Sequence, residues 1–580
     1  MKFFHVYNED CILGLEKNNL INKDTGFKIQ HCFAVPKERL FNNYAAVGGK
    51  LHSILKENNY PFYVDRIAGG ITYYPYTFDK ELIRVYREML GDEFLGFQLH
   101  ESSSNIRDCD WVHIRDKMGS NGPYDVEEFR RRFKSSHAVT PEGEYLYDLG
   151  HDTPEFYANR TYAETVEAYI EETREMFLRR MAETDNNILP VDSFYMFTKL
   201  QDELGMRTFM PEVGWQISRE REQVAVARGV AKSSKKKWGT YYECWRADID
   251  ENGGINCCMP CYNLDPINEW YLTQETHLDD FTTHGPNGGS SRLLQNRIYY
   301  HSLMSGADYL SEEWGLNCSY TDMHDFTLSA YGQTKKDFID TALDLQGVKS
   351  MTPFAIVLPK EHCCVEVLNT VREVDMGVRN GKFMDTPLNA EEKEYYGHIE
   401  DVLSLFFERN GEVFGAEGHV ITNSRFGDVV DIIYADASDE TFAQYAYLID
   451  ATKDGSFARA KAGSNLRILE SSDIDKLTHD VDKRIEETMP VWVDSLCWLV
   501  STDNKGRRFL SIFNNEGNTR TTEHGDVIDH KADRTVKIST KNPVNFRVFK
   551  APKAGASITK KDDNTYYADV PAAEFLILEF

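Results

Sequence analysis

Several features that would assign this chain to a particular class are absent from its 580 residues. It contains no run of about eighteen apolar residues, the length that a membrane-spanning helix needs. Basic residues are in the minority, with 65 Lys and Arg against 93 Asp and Glu, which gives a formal net charge of -28. Because nucleic-acid affinity depends on cations that neutralise phosphates, we expect neither a nucleic acid nor a membrane as partner.

Cysteine is sparse and irregularly placed. The chain has 11 cysteines, an odd number, without the dense spacing of a small secreted disulfide scaffold. Near the N-terminus Asn8, Glu9 and Asp10 interrupt the apolar stretch that a signal peptide requires. These two observations favour a cytoplasmic protein.

What the sequence does contain, from its start to about residue 314, is an alternation of short β-rich runs and amphipathic helical segments. This alternation is typical of a parallel sheet with crossover helices. The predicted strands number eight and are Phe3–Tyr7, Phe27–Phe33, Phe62–Ile67, Leu95–His100, Ile188–Asp192, Thr208–Val213, Gly239–Trp245 and Asp308–Trp314. The predicted helices are Lys80–Leu90, Glu164–Glu183, Arg219–Ser233 and Arg292–Ser305. The pattern predicts a (β/α)₈ TIM barrel.

Beyond residue 350 the pattern changes twice. A buried-strand run at Pro353–Leu358 precedes a helix around His398–Glu408 and strands at Val429–Tyr434 and Tyr445–Asp450, which predicts a small open α/β domain. From Val491 onward the pattern is all β, with a hairpin signal at residues 503–506, and predicts a β-sandwich. We predict three domains, at residues 1–350, 351–487 and 488–580.

Acidic residues recur where the predicted barrel strands end. The acids in question are Glu101, Glu212, Glu243, Glu312 and Glu313. A carboxylate at the C-terminal end of a barrel strand points into the mouth, where burial is costly unless the group is paired or protonated. Any one of these acids could be an ion-pair or helix-capping residue, but several at one mouth favour catalysis.

Glycoside hydrolysis requires two carboxyl groups in different protonation states. In an eight-strand barrel Glu101 ends strand 4 and Glu243 ends strand 7, on opposite sides of the mouth, so both could flank a bound sugar. Aromatic rings near the strand ends, among them Tyr242, Trp245 and Trp314, could stack on sugar faces. Further candidates for contacts with sugar hydroxyls are Arg66, His100, Asn105, Glu212 and Glu313.

The layout resembles the clan A glycoside hydrolases. The order of barrel, amidotransferase-like α/β domain and β-sandwich is similar to that of the family 42 β-galactosidases. The segments that lead from strand 8 into the second domain, residues 305–309, Trp314 and residues 353–359 (PFAIVLP), also resemble those enzymes. The resemblance implies that Glu101 is the acid/base and Glu243 the nucleophile, with retention of configuration at a β-linked glycoside, a β-galactoside first. It also implies a homotrimer or another homo-oligomer. The clan usually has Asn before the acid/base, whereas this chain has His100, which resembles the family 26 mannanases.

Three alternatives stay open. If two weaker strands are dropped from the count, Glu212 pairs with Glu312 or Glu313 as the catalytic acids. The protein could instead be a non-catalytic carbohydrate-binding or assembly protein on the same fold. The motif of Cys257, Cys258 and Cys261 could hold a structural zinc, although a second well-spaced pair is missing. No cofactor and no catalytic metal are expected.

Overall fold

Eight parallel strands close into a barrel in the computed structural model, which describes residues 1–30, 37–65, 77–100, 166–192, 197–214, 220–244, 246–249, 255–258, 289–313, 319–320, 324–360, 390–408, 420–520, 526–551 and 555–580. The strands are β1 (Lys2–Val6), β2 (Thr25–Gln30), β3 (Phe62–Asp65), β4 (Phe94–His100), β5 (Ile188–Asp192), β6 (Thr208–Gly214), β7 (Lys237–Glu243) and β10 (Tyr309–Glu313). Between β7 and β10, β8 (Arg246–Ile249) and β9 (Ile255–Cys258) form an antiparallel hairpin. The barrel closes in the order β1-β10-β7-β6-β5-β4-β3-β2.

Helices connect the barrel strands. They are α1 (Glu9–Lys17), α2 (Phe41–Tyr44), α3 (Lys50–Asn58), α4 (Lys80–Leu90), α5 (Val166–Glu183), α6 (Thr198–Glu203), α7 (Glu220–Ser234), α8 (Arg292–Met304) and α9 (Ala330–Ala342). Side-chain caps define several of their starts. The Ser291 hydroxyl accepts a hydrogen bond from the backbone N–H of Leu294 and begins α8, and Ser329 caps α9 in the same way.

Both faces of each barrel strand are buried, as parallel strands require. The side chains that fill the barrel interior form one cluster, consisting of Phe4, Tyr63, Leu95, Leu189, Val191, Met210, Tyr241 and Tyr309. Residues one position away, such as Tyr242 and Leu310, belong instead to the core between barrel and helices. This alternation decides which strand-end residues face the mouth.

A second, four-stranded parallel sheet follows β11 (Lys349–Ser350). It contains β12 (Phe354–Leu358), β13 (Val430–Tyr434), β14 (Tyr447–Asp450) and β15 (Ile468–Glu470) in the order β13-β12-β14-β15. Its helices are α10 (Ala390–Phe406), α11 (Asp439–Phe442), α12 (Ser456–Ala460) and α13 (Ile474–Thr488). This is the predicted small α/β unit.

Antiparallel sheets complete the chain. Their strands are β16 (Val491–Val493), β17 (Cys497–Thr502), β18 (Arg508–Phe513), β19 (Asn518–Arg520), β20 (Asp526–Ile528), β21 (Arg534–Thr540), β22 (Arg547–Lys550), β23 (Ser557–Lys560), β24 (Thr565–Val570) and β25 (Phe575–Glu579). One sheet has the order β11-β17-β18-β25-β22, a second β16-β21-β24-β23, and β19 pairs with β20. The predicted fold class, barrel followed by α/β unit and β-sandwich, is confirmed, whereas the domain boundaries stay a prediction.

Barrel helix α7 joins the barrel to the second sheet. Arg228 Nε lies 2.5 Å from Asp431 Oδ1 of β13, and Lys232 Nζ lies 2.5 Å from Oδ2 of the same carboxylate. A Cβ on Gly229 would lie 2.1 Å from the carbonyl oxygen of Ile432, so only glycine permits this approach of helix and strand. Within the described residues, no helix has both the length and the apolar character needed to cross a bilayer.

Candidate active site

Four buried polar side chains converge at the C-terminal ends of four barrel strands. They are His100 at the end of β4, Glu212 on β6, Glu243 at the end of β7 and Glu313 at the end of β10. The alternation along each strand directs them inward. For example, Tyr241 fills the interior and Tyr242 the outer core, so Glu243 faces the interior again.

Glu243 and Glu313 are partners in the register of β7 and β10. Each is the last residue of its strand, and Glu243 is fully buried. On the other side of β7 the register partner of Glu243 is Gly214. A Cβ at Gly214 would lie 2.6 Å from Cβ of Glu243 and 2.5 Å from its carbonyl oxygen, so glycine is needed for β6 to pass this closely.

His100, Glu212 and Glu313 form a tight cluster beside this pair. His100 Nε2 lies 3.4 Å from Glu313 Oε1, and one ligand atom from each of the three residues lies within 4.8 Å of the other two. The amide nitrogen of Gln98 lies 3.2 Å from His100 Nδ1, and when it donates there Nε2 carries the hydrogen that faces Glu313. One imidazole and two carboxyl groups are ligands that suit a metal ion, and the same atoms can accept or donate hydrogen bonds to the hydroxyls of a sugar.

A buried ion pair lies on β2 and β3, of which β3 is the neighbour of β4 in the barrel. Lys28 Nζ of β2 lies 2.5 Å from Asp65 Oδ2 at the end of β3, and it also donates to the carbonyl oxygen of Glu312 at 2.6 Å. The hydroxyl of Tyr241 donates to Asp65 Oδ1 at 3.4 Å. Sequence reasoning did not select Lys28 or Asp65, although Asp65 obeys the same strand-end rule that selected the glutamates.

Glu312 does not face the mouth, although the sequence left it open as a catalytic acid. Its carboxylate accepts hydrogen bonds from the hydroxyls of Tyr299 on α8 and Tyr331 on α9, and Lys335 Nζ lies 2.7 Å from Oε2. Burial and the Glu312 carboxylate together raise the pKa of Tyr299 well above its ordinary value. Glu312 is therefore an anchor for the outer helices, and of the two neighbouring acids the structure brings Glu313, not Glu312, into the cluster with His100 and Glu212.

Tyr242 also faces outward. Its hydroxyl is hydrogen-bonded to that of Ser290, and its ring packs edge-on against Tyr299 at a centroid distance of 5.8 Å. Because β7 alternates, the residue next to a mouth-facing glutamate must face the outer helices. The structure does not bring Tyr242 to the mouth, against the prediction that it contacts substrate.

Several predicted site residues lie outside the described residues. They are Arg66, Glu101, Asn105, Trp245, Trp314 and Cys261. Cys257 and Cys258 lie in β9. The pairing of Glu101 with Glu243 and a zinc site at the cysteine motif therefore stay predictions.

Comparison with known proteins adds little to this geometry. No protein-family model and no curated protein matches the chain. Among solved structures, the α-L-fucosidase isoenzyme 2 from Paenibacillus thiaminolyticus has 9% identity over 100% of this chain and 99% of its own, with a TM-score of 0.37. A GH5_18 protein from Bifidobacterium longum subsp. longum in complex with Manb1-4GlcNAc has 9% identity over 81% of this chain and 96% of its own, with a TM-score of 0.31.

A mutant isomaltulose synthase from Erwinia rhapontici in complex with sucrose has 8% identity over 100% of this chain and 98% of its own, with a TM-score of 0.29. Because every TM-score is below 0.5, the fold rests on the strand pairing described above and the function on the residues at the mouth. The resemblance to clan A and to family 42 stays a prediction.

Proposed function

We propose that the protein is a retaining glycoside hydrolase in which Glu243 is the nucleophile and Glu101 the acid/base. The observation that supports this most directly is the position of Glu243, which ends the seventh barrel strand, is fully buried and faces the interior beside Glu313. A buried carboxylate at the C-terminal mouth of a barrel is where enzymes of this fold carry catalytic groups. The substrate we propose is a β-linked glycoside, with a β-galactoside to be tested first.

The reaction proceeds in two displacements. In the first, a carboxylate oxygen of Glu243 attacks the anomeric carbon, the bond to the leaving oxygen breaks, and that oxygen takes the proton of Glu101. In the second, Glu101 takes a proton from water, the water oxygen attacks the anomeric carbon, and the bond to Glu243 breaks. Each displacement inverts the anomeric centre, so the product keeps the configuration of the substrate.

The neighbouring polar groups then bind the sugar. In this proposal His100, Glu212 and Glu313 accept or donate hydrogen bonds to its hydroxyls, and Arg66 and Asn105 complete the polar contacts. Trp245 and Trp314 supply flat apolar surfaces for the sugar ring. Together these contacts would fix the anomeric carbon against Glu243.

A second assignment uses Glu212 and Glu313 as the catalytic pair. It is favoured by their proximity, because an oxygen of each lies within 4.8 Å of the other, so both carboxyl groups can reach the same sugar. In this case Glu243 would be a substrate-binding acid. The two assignments make different predictions for rescue by a small nucleophile.

The test is hydrolysis of a panel of nitrophenyl glycosides by the wild type and by four single variants, Glu101→Gln, Glu243→Gln, Glu212→Gln and Glu313→Gln. We expect kcat to fall at least about 10⁴-fold in Glu243→Gln and about 10²–10⁴-fold in Glu101→Gln. The variants Glu243→Gly and Glu101→Gly are then assayed with azide. Azide should give a glycosyl azide of inverted configuration with the first and of retained configuration with the second.

The outcomes separate the possibilities. The variants Glu212→Gly and Glu313→Gly are assayed with azide in the same way, and rescue confined to these two would replace the first assignment by the second. If wild type and Glu243→Gln bind sugars equally in calorimetry and neither hydrolyses any glycoside, the protein is a carbohydrate-binding protein rather than an enzyme.

A further inference from the structure

A second group of buried polar side chains lies away from the barrel mouth. His301 is on α8, Asp428 is in the loop that leads into β13, and Cys497 is the first residue of β17. His301 Nε2 lies 2.7 Å from Asp428 Oδ2, and Cys497 Sγ lies 3.6 Å from the same oxygen. His301 and Cys497 are fully buried, and Asp428 is 5% exposed. Three parts of the fold thus bring a nitrogen, an oxygen and a sulfur to one point.

A fourth residue lies against the imidazole. Glu220 Oε1, at the start of α7, lies 3.2 Å from His301 Nδ1, on the opposite side of the ring from Asp428. The Glu220 side chain is fully buried, and neither its two carboxylate oxygens nor His301 Nδ1 makes a hydrogen bond of normal geometry to another described residue. A metal-binding histidine usually has a carboxylate next to one ring nitrogen, while the other ring nitrogen points to the metal. Here Nδ1 is next to Glu220, and Nε2 points to the oxygen of Asp428.

We propose that His301 Nε2, Asp428 Oδ2 and the Cys497 thiolate bind one zinc ion, with Glu220 as the carboxylate that orients the imidazole. Imidazole, carboxylate and thiolate are all zinc ligands, and a thiolate beside an imidazole selects zinc over magnesium or calcium. A water molecule would complete the tetrahedron. The 2.7 Å contact between Nε2 and Oδ2 would open to about 3.3 Å, the separation of two ligands in a tetrahedron with zinc bonds of about 2.0 Å.

One oxygen of the Asp428 carboxylate is held by a cation outside the ligand group. Arg221 Nε lies 2.6 Å from Asp428 Oδ1 and leaves Oδ2 to the ligand group. Arg221 thereby fixes the carboxylate with Oδ2 directed at His301 and Cys497.

The ion would act as a structural clamp. Its ligands come from a barrel helix, from the loop that leads into the parallel sheet and from an antiparallel strand of the sandwich. Zinc binding to the folded chain alone adds to its stability by mass action. The site is separate from the acids at the barrel mouth, and the inference does not depend on the proposed glycosidase activity.

The test uses the full-length protein, freed of metal by a chelator and titrated with zinc and with cobalt. We expect one equivalent of tightly bound zinc, a rise in Tm on binding, and with cobalt the thiolate charge-transfer and tetrahedral d–d absorption bands. Cys497→Ser should lose the charge-transfer band and bind zinc at least about tenfold more weakly. Cys11→Ser, which replaces another buried cysteine that forms no disulfide, is the matched control and should bind like the wild type.

The competing zinc ligands are Cys257, Cys258 and Cys261. A double variant of Cys257→Ser and Cys258→Ser should keep the metal if the proposal holds. X-ray absorption of the zinc-loaded wild type identifies the zinc ligands without relying on a variant that must fold. We expect one sulfur ligand together with nitrogen and oxygen ligands. Two or more sulfurs, loss of metal from the double variant, or no stoichiometric binding would overturn the proposal and leave the group as a buried network of ion pairs and hydrogen bonds.

Discussion

At the scale of single residues, Gly214 controls how closely β6 and β7 approach at the mouth. In Gly214→Ala the new Cβ would lie 2.6 Å from Cβ of Glu243, and backbone rather than a flexible side chain lies at 2.5 Å, so the end of β7 must shift. We expect kcat/KM to fall about 100-fold, the usual effect of a displacement of about 1 Å at a catalytic group, with about 1–3 kcal/mol lost from the free energy of unfolding.

The control for this prediction is Gly205→Ala. Gly205 also has a positive φ, of 86°, but nothing lies within 4 Å of the position that its Cβ would take. The control therefore carries the backbone strain without the contact, and should keep its activity. Equal loss of activity in both variants would contradict a role for Gly214 in placing Glu243.

Glu574, just before β25, makes folding stability depend on pH. Burial raises its pKa from 4.5 to about 7, while Arg297 opposes the shift and Asp526 adds to it. Because the folded state holds the proton more tightly, its stabilising effect is complete below about pH 4.5 and is lost as the pH rises through 7. Glu574→Gln should remove this loss and stabilise the protein by about 1–3 kcal/mol at pH 8 relative to the wild type. Urea unfolding of the wild type and of Glu574→Gln at pH 5 and pH 8 measures the free energy of unfolding of each. If this free energy changes between the two pH values by the same amount in both proteins, the assignment to Glu574 is contradicted.

Some features of the site can be predicted from single residues, whereas others depend on how the barrel strands are paired. That acids end the barrel strands could be predicted, because strand ends are recognisable in the sequence. Which of Glu312 and Glu313 faces the mouth could not, because both faces of the strand are buried and the usual alternation of exposed polar and buried apolar residues is missing. The ion pair of Lys28 with Asp65 escaped prediction since its members lie on different strands.

At the scale of elements, Asp431 of β13 holds α7 against the second sheet. It binds Arg228 and Lys232, and the hydroxyls of Thr352 and Tyr445 also donate to it at 2.9 Å each. Asp431→Ala would leave Arg228 buried without a counter-charge, and we expect a loss of about 3–5 kcal/mol in the free energy of unfolding. Asp436→Ala is the control, because its ion pair with Lys199 is partly exposed and contributes about 0–1 kcal/mol. A loss of less than 1 kcal/mol in Asp431→Ala would show that the helix does not depend on this carboxylate.

The elements themselves were largely predictable. Lys80–Leu90 forms a helix with the predicted bounds, and its start is defined by Asp79, whose carboxylate accepts two backbone N–H groups. The hairpin between β17 and β18 has its turn at residues 503–506, where Gly506 has a φ of 79°. Periodicity and turn residues act locally, so a single sequence contains them. The approach of Gly229 to Ile432 depends on two distant segments, and nothing in the sequence around either one indicates it.

At the scale of the whole molecule, one hydrophobic core extends through the barrel, the parallel sheet with its helices and the sandwich. Phe3 of the barrel, Ile356 of the parallel sheet and Leu578 of the sandwich belong to the same cluster of buried side chains. Polar contacts cross the same boundaries. Arg297 of barrel helix α8 is fully buried and donates to Asn515 Oδ1 at 2.7 Å and to the carbonyl oxygen of Ala573.

This continuity predicts that the barrel and the sandwich unfold together. Separating them would expose apolar core and remove the hydrogen-bond acceptors of the Arg297 guanidinium, so a state with only one unit folded is unfavourable. We expect a single calorimetric transition, with near-ultraviolet and far-ultraviolet circular dichroism changing at the same temperature. A chain that ends at residue 487 should accumulate as insoluble protein, because β11 loses its partner β17 and Gly427 loses its contact with Trp498. Two resolved transitions, or a soluble shortened chain with the wild-type barrel spectrum, would show instead that the barrel folds independently of the sandwich.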